Sequence, residues 1–304
     1  MDNKDFKKVE AKDIEDDGTL NASIKMALDE LKKDERVYSL IRDQFKLKQS
    51  EVKASMVPFL NLLEDLHYCD HCPGLEKCDK QTPHYQIELS KEGGVIRTNY
   101  RLCPLAKERH DYDSSFLYRD FPDEWWKKSL QHDVDRTAVK SQALMKAAQI
   151  LSGDCRDWLY LRGRRRSGRS FLAACLANGF ASNHKLVAFA DTMSLVEKLK
   201  DMVYSKNKEG FEKEMEALIN CDLLVLDDFG NENHTSFVYS TILFPLLNGR
   251  AKANKPVVFT SDFTIPDIGD MYSDALGKAK STQLRYLLID YCKKTFDVTS
   301  LDLH

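Results

Sequence analysis

Between Asn21 and Leu66 the apolar positions Ile24, Met26, Ala27 and Leu31, then Val37, Leu40, Ile41 and Phe45, recur largely at steps of three and four residues. Such spacing lines one face of a helix, so the stretch is expected to be helical. A second amphipathic stretch runs from Val52 through Val57, Leu60 and Leu63 to Leu66. The two stripes are expected to pack on each other, with one face available to a partner. Residues 1–18 are polar and acidic and are expected to fray. Residues 67–106 carry cysteines and read as strands at 85–89 and 95–100. The stretch 107–135 holds Asp111-Tyr112-Asp113-Ser114-Ser115 and Phe121-Pro122-Asp123, a turn-rich composition expected of a linker, with Trp125 and Trp126 anchoring it on one domain.

A helix over 136–151 is expected to lead into a second domain. There, strand-like runs at 158–161, 186–189, 223–226, 257–260 and 295–298 alternate with helical segments at 169–182, 192–202, 209–219, 237–250 and 281–292. Alternation of this kind predicts an α/β fold with a parallel sheet covered on both faces. The expected division is 1–106, a linker over 107–135, and 136–304.

Composition narrows the class. The 304 residues are 42% apolar and 31% charged, enough for two globular domains. No apolar run reaches the roughly eighteen residues that a bilayer crossing needs. The start, Met1-Asp2-Asn3-Lys4-Asp5, lacks the basic-then-apolar pattern of a secretory leader. A cytoplasmic protein with no membrane partner is expected. The formal net charge of −3 means that any nucleic-acid contact must come from local basic patches. Eight cysteines in such a chain are not a disulfide framework, and Cys155, Cys175, Cys221 and Cys292, in apolar surroundings, are expected as small core residues.

The candidate chemistry begins at Gly163-Arg164-Arg165-Arg166-Ser167-Gly168-Arg169-Ser170-Phe171, between a strand and a helix. The spacing of Gly163, Gly168, Arg169 and Ser170 follows the phosphate-binding P-loop in every position but one. Gly163, Ser167, Gly168, Arg169, Ser170 and Phe171 are the candidate nucleotide-binding residues. The glycines let backbone N–H groups line an anion site at a helix N-terminus, and Ser170 is placed to ligate Mg²⁺. The departure is Arg169 where the pattern has lysine. A point-like ammonium becomes a planar fork, so nucleotide binding is expected to be altered and hydrolysis to suffer more. Further on, Leu223-Leu224-Val225-Leu226-Asp227-Asp228 is an apolar strand ending in two carboxylates, the Walker B pattern. Asp227 would hold the Mg²⁺, directly or through water, and Asp228 would orient or deprotonate the attacking water. A third apolar strand ends at Thr260-Ser261-Asp262.

From 157 to 298 the chain resembles the AAA+ domain of DnaC/DnaI-type helicase loaders, with IstB-type transposition helpers behind them. The resemblance is carried by Leu226-Asp227-Asp228-Phe229-Gly230, by the spacing from Arg250 to Thr260-Ser261, and by the short end after the last helix. It implies that Asp262 stands where sensor 1 has asparagine, and that Arg285 acts as sensor 2. It also implies an arginine finger at Ser281, where none is present. Lys280 is a weak substitute, and Arg250 is an alternative inter-subunit contact.

The N-terminal region spaces its sulfurs as Cys69-x2-Cys72-x5-Cys78-x5-His84-x18-Cys103, a density that predicts a zinc knuckle rather than a core of free thiols. A metal would supply much of the folding energy there. The layout is similar to the zinc-binding helicase-interaction domain of the loaders. That resemblance implies Cys69, Cys72, His84 and Cys103 as ligands, with Cys78 as an alternative.

The expectation is a helicase loader or primosomal protein of DNA replication. It would bind ATP or ADP with Mg²⁺ and Zn²⁺, touch single-stranded DNA, assemble with the replicative hexameric helicase, and self-associate. Arg164, Arg165 and Arg166 could contact phosphates of DNA or of a neighbour, or shield the nucleotide. Two rivals stand beside it: a non-hydrolysing adaptor that keeps the fold, and a transposition helper.

Overall fold

A computed structural model describes residues 18–298; the expected frayed tail therefore lies outside the described residues, Gly18 apart. The chain divides into two compact units, Met1–Arg109 and His110–His304. Among the described residues, no helix is long and apolar enough to cross a membrane.

The first unit begins with α1 (Gly18–Lys33) and α2 (Glu35–Ser39), which continues as a π turn over Leu40–Gln44. Next come α3 (Gln49–Ala54) and α4 (Met56–Asp70), then the antiparallel hairpin of β1 (Tyr85–Glu92) and β2 (Val95–Leu102). Asp34 caps α2 by accepting the N–H groups of Arg36 at 2.9 Å and Val37 at 3.4 Å. The Arg36 guanidinium holds the Asp34 carboxyl down at about 2 and reaches Asp70 at 2.7 Å, fastening α2 to the end of α4. Leu31, Val37, Ile41, Phe45, Val52, Phe59, Leu62 and Leu63 form the core, closed by Leu89 and Ile96 of the hairpin. Met26 and Val57, expected on the apolar stripes, are 73% and 66% exposed. Met26 lies two residues from Ile24 and from Leu28, and Val57 two from Phe59, which puts both on the far side of their helices.

In sequence, α5 (Pro104–Ser114) runs across the division. The second unit holds β3 (Phe116–Arg119), α6 (Ala138–Ser152), β4 (Leu159–Arg162), α7 (Arg169–Ser182), β5 (Val187–Asp191), α8 (Thr192–Tyr204), α9 (Lys208–Asn220) and β6 (Leu223–Asp227). A π turn over Val238–Leu243 then leads into α10 (Phe244–Lys252), followed by β7 (Val257–Ser261), α11 (Ile265–Cys292) and β8 (Thr295–Asp297). Six strands pair in the order β3-β5-β6-β7-β4-β8, every pairing parallel. Alternate strand residues serve opposite faces. Tyr160, Ala188, Leu224 and Phe259 enter one core, while Leu161, Phe189, Val225 and Val258 enter the other. This is the doubly covered parallel sheet that the alternation predicts.

Three regions differ from expectation. The stretch 107–135 contains most of α5 and the edge strand β3, paired with β5. Asn178 of α7 donates to the carbonyls of Trp125 at 2.7 Å and Lys128 at 2.8 Å, so this stretch is bound into the second unit rather than strung between two. The helix expected at 281–292 is the second half of α11, whose first half begins at a capping box of Thr264 and Asp267. Gly277, at φ 73° and ψ 161°, breaks the two halves. Finally, Arg250 is fully buried, which removes it as an inter-subunit contact. Its guanidinium donates to the carbonyls of Leu218 at 2.7 Å, Ile219 at 3.1 Å, Cys221 at 3.0 Å and Pro256 at 2.6 Å. Burial lowers its pKa, as desolvation disfavours the charge.

Candidate nucleotide site and cysteine pocket

β4, β7 and β6 lie side by side, so their C-terminal ends bring the P-loop, Asp262 and the Asp227-Asp228 pair to one edge of the sheet. Ligands of open parallel sheets bind at that edge. Two backbone bonds join the loop to its flanks: Gly163 N–H to Ser261 O at 3.0 Å, and Val298 N–H to Arg162 O at 2.8 Å. The loop is tight at Gly163, where a Cβ would collide with Ser167 Oγ. That hydroxyl is 4% exposed as part of Ser167 and has no hydrogen-bond partner among the described residues. Gly168 stands at the N-cap of α7, and no side chain among the described residues caps the helix. An unfilled helix N-terminus, an orphaned buried hydroxyl and a cradle that a methyl group would fill together suit a phosphate. Arg164, Arg165 and Arg166 are exposed around it. Phe171 turns its ring edge-on to Trp125, with centroids 5.3 Å apart, so its side chain belongs to the packing behind the loop.

Asp227 is largely buried, and desolvation raises its pKa against the opposing hydroxyls of Thr260 and Ser170. Thr260 Oγ1 donates to Asp227 Oδ1 at 2.6 Å and accepts the Asp228 N–H at 3.0 Å. Ser261 Oγ donates to Phe229 O at 2.6 Å, locking the acid loop to the end of β7. Asp228 sits at φ 54°, a setting that non-glycine residues take at a cost and that clusters at functional sites. The Ser170 hydroxyl bonds the Asp227 carboxylate, with Asp228 close by.

Arg169 occupies the centre. Its guanidinium donates to the carbonyl of Gly163 and to the carboxylates of Asp228 and Asp262, and its side chain is 5% exposed. The sequence places this residue against phosphate; the structure has it bridging the two acids instead. Arg169, standing where the P-loop pattern has lysine, thus pairs with both acids, a fork matched to two carboxylates.

Arg285 donates to Asp270 at 2.6 Å and to Pro266 O at 3.3 Å, across the bend in α11. Ser281 is buried and bonds Lys278 O at 3.1 Å. Sequence reasoning passed over Glu232. It is 2% exposed, accepts the Gly230 N–H at 2.7 Å and the Tyr272 hydroxyl at 2.9 Å, and burial raises its pKa. It joins the acid loop to the first half of α11. Its only sequence signal was an acid four residues past Asp228, which a surface turn would also explain.

In the first unit, Cys69, Cys72, Cys78, His84 and Cys103 all line one pocket of about 180 Å³. The Lys80 ammonium lies 3.6 Å from Cys69 Sγ, the Ala106 N–H lies 3.3 Å from Cys103 Sγ, and His84 Nε2 lies 2.9 Å from Leu75 O. Cationic and N–H donors turned toward sulfur are the surroundings a metal-bound thiolate needs. Among the described residues, however, no three ligand groups are drawn close enough to grip an ion. Cys175, Cys221 and Cys292 are buried as expected, and Cys155 is half-buried.

The six-stranded parallel sheet thus carries a P-loop-like turn after β4 and an acid pair after β6 at one edge, with β7 between the two strands. No protein-family profile matches the chain. The chain is homologous to the replicative helicase loader DnaI of Bacillus subtilis (strain 168), with 23% identity over 243 residues, 77% of each chain. That match is longer than the second unit, so it extends into the first. The crystal structure of DnaI is similar at a TM-score of 0.51 and 23% identity, covering 60% of this chain and 97% of that one. A putative primosome component from Streptococcus pyogenes serotype M3 is similar at 0.51 and 19%, covering 65% and 100%. Both share the fold.

Proposed function

We propose that this protein is a helicase loader or primosomal protein, which binds ATP or ADP with Mg²⁺ and single-stranded DNA and delivers the replicative hexameric helicase at initiation or restart of DNA replication. The observation that carries this is the homology with a replicative helicase loader across both units. In this reading Gly163, Ser167 and Gly168 receive the phosphates, and Ser170 and Asp227 hold Mg²⁺. Asp228 orients water once it is free of Arg169, and Arg285 reports the nucleotide after leaving Asp270. Arg164, Arg165 and Arg166 offer charge to phosphates of DNA. Nucleotide acts as a switch for assembly. The full chain is expected to co-purify with the host's replicative helicase in a nucleotide-dependent way. Recovery of a transposase and no helicase would reverse the assignment.

A second reading, a loader that does not hydrolyse its nucleotide, is favoured by the engagement of Asp228 and Asp262 with Arg169. Turnover with and without single-stranded DNA separates the two. A hydrolysing loader loses about a hundredfold in rate on Asp228→Asn. Absence of turnover in the unaltered chain, with nucleotide still bound, establishes the adaptor.

The first unit would bind the helicase and hold zinc, through Cys69, Cys72, His84 and Cys103, with Cys78 as an alternative. Zinc there would cross-link the end of α4 to the hairpin. The purified chain is expected to contain one zinc per molecule by elemental analysis, and Cys69→Ser with Cys72→Ser to contain almost none. Full zinc content in that double variant would remove the knuckle from the account.

A further inference from the structure

We propose that Lys140, on the first turn of α6, is the cation that grips the nucleotide's phosphates, in place of the lysine missing at position 169. The inference rests on the nucleotide reading above and deepens it. Its starting point is that the loop's own cation is already committed. Arg169 gives its N–H groups to Gly163 O, Asp228 and Asp262, and is 4% exposed. Drawing it onto a phosphate would strand two carboxylates without their partner.

Lys140 reaches the same loop from outside. Its Nζ lies 3.4 Å, and its Cε 4.0 Å, from where a Cβ on Gly168 would stand. Gly168 is the N-cap of α7. Among the described residues, no carboxylate or carbonyl takes up this ammonium. A half-buried ammonium beside a helix N-terminus is a juxtaposition of two positive ends, unfavourable unless an anion lies between them. Asp228 and Asp262 are engaged by Arg169 instead. Ser167 Oγ, buried and unpartnered in the same loop, is a further group awaiting an acceptor or donor from outside the chain. α6 is firmly set for the task. Ala143, Ala147 and Ile150 are buried in the same core as Leu172 and Leu176 of α7, so the helix bearing Lys140 is packed with the helix that opens the phosphate site. An ammonium on a flexible four-carbon stem supplies three donors and a point charge, which is what the P-loop lysine ordinarily contributes. The ligand class is a nucleoside di- or triphosphate, gripped at its terminal phosphates.

The test is a titration of the full chain with fluorescent ATP and ADP analogues in the presence of Mg²⁺. Lys140→Gln is expected to weaken both by about ten- to a hundredfold, the value of a charge-assisted bond. Its thermal midpoint should stay that of the unaltered chain, since the ammonium bonds nothing among the described residues. Lys140→Arg is expected to recover most of the affinity. Tripolyphosphate should displace the analogue from the unaltered chain and do so far less well from Lys140→Gln at matched occupancy. Binding by Lys140→Gln within about twofold of the unaltered chain overturns the role of Lys140 and leaves the nucleotide site standing. If the unaltered chain binds neither analogue, the nucleotide site itself falls, and Lys140 with it. A loss of affinity in Lys140→Gln that Lys140→Arg does not recover, accompanied by a lowered midpoint, assigns the residue to structure and overturns the proposal.

Discussion

Arg250→Met is expected to destabilise the second unit by about 4 kcal/mol, because it strips the donors from buried carbonyls without leaving room for water. The guanidinium is wholly buried and serves Leu218, Ile219, Cys221 and Pro256 at once. Leu218 and Ile219 end α9, Cys221 precedes β6, and Pro256 precedes β7. One side chain therefore satisfies carbonyls at the base of two adjacent strands whose far ends carry Asp227 and Asp262. Methionine fills similar length but offers no donor. Urea unfolding of the full chain, followed by a probe of the second unit, gives the measurement. A loss below about 1 kcal/mol would mean that those carbonyls find other partners.

Arg169→Met is expected to cost about 3 kcal/mol, somewhat less because its two acids are partly solvated. The side chain is 5% exposed, while Asp228 and Asp262 are 36% and 30% exposed. Removing it leaves Asp227, Asp228 and Asp262 facing one another. Asp262→Asn alone should cost less, since Asp228 and the Gly163 carbonyl still hold the guanidinium. The cycle formed by the two single variants and their double should show a coupling of about 1 to 2 kcal/mol. Additive effects would mean that Arg169 and Asp262 do not act as a pair. A P-loop arginine that carries structural weight in this way cannot be judged by asking how well it imitates lysine.

The centre of the parallel sheet was legible because β4, β5, β6 and β7 are apolar runs set off by turn residues, and the crossovers between them are long enough to show helical periodicity. Strand β3 escaped notice at four residues, inside a stretch rich in Asp and Ser, where only pairing with β5 gives it a strand's geometry. The first half of α11 was hidden by Gly277, which interrupts the period. The gathering of Ser170, Asp227 and Asp228 followed from two motifs of known relation. What Arg169 does there did not follow, because Asp262 is 93 residues away and comes alongside only through the insertion of β7 between β6 and β4. Arg250 reads in sequence as an ordinary basic residue in a helix's last turn, and nothing local signals that it points inward. Lys140 belongs to no motif. Its position depends on how α6 packs with α7, a long-range fact that periodicity does not carry.

The bend at Gly277 has a mechanical consequence. Its backbone setting is open to glycine and to almost no other residue, so the joint carries no side chain that could stiffen it. One arm of α11 is moored through Tyr272 to the buried Glu232 of the acid loop; the other carries Arg285 and feeds directly into β8, the strand flanking β4. Arg285 on Asp270 is an ion pair between the arms. Both arms also enter one core, through Ile268 and Tyr272 on one side and Leu284 and Leu288 on the other, so the joint is free of side-chain bulk while the arms it connects are held by packing.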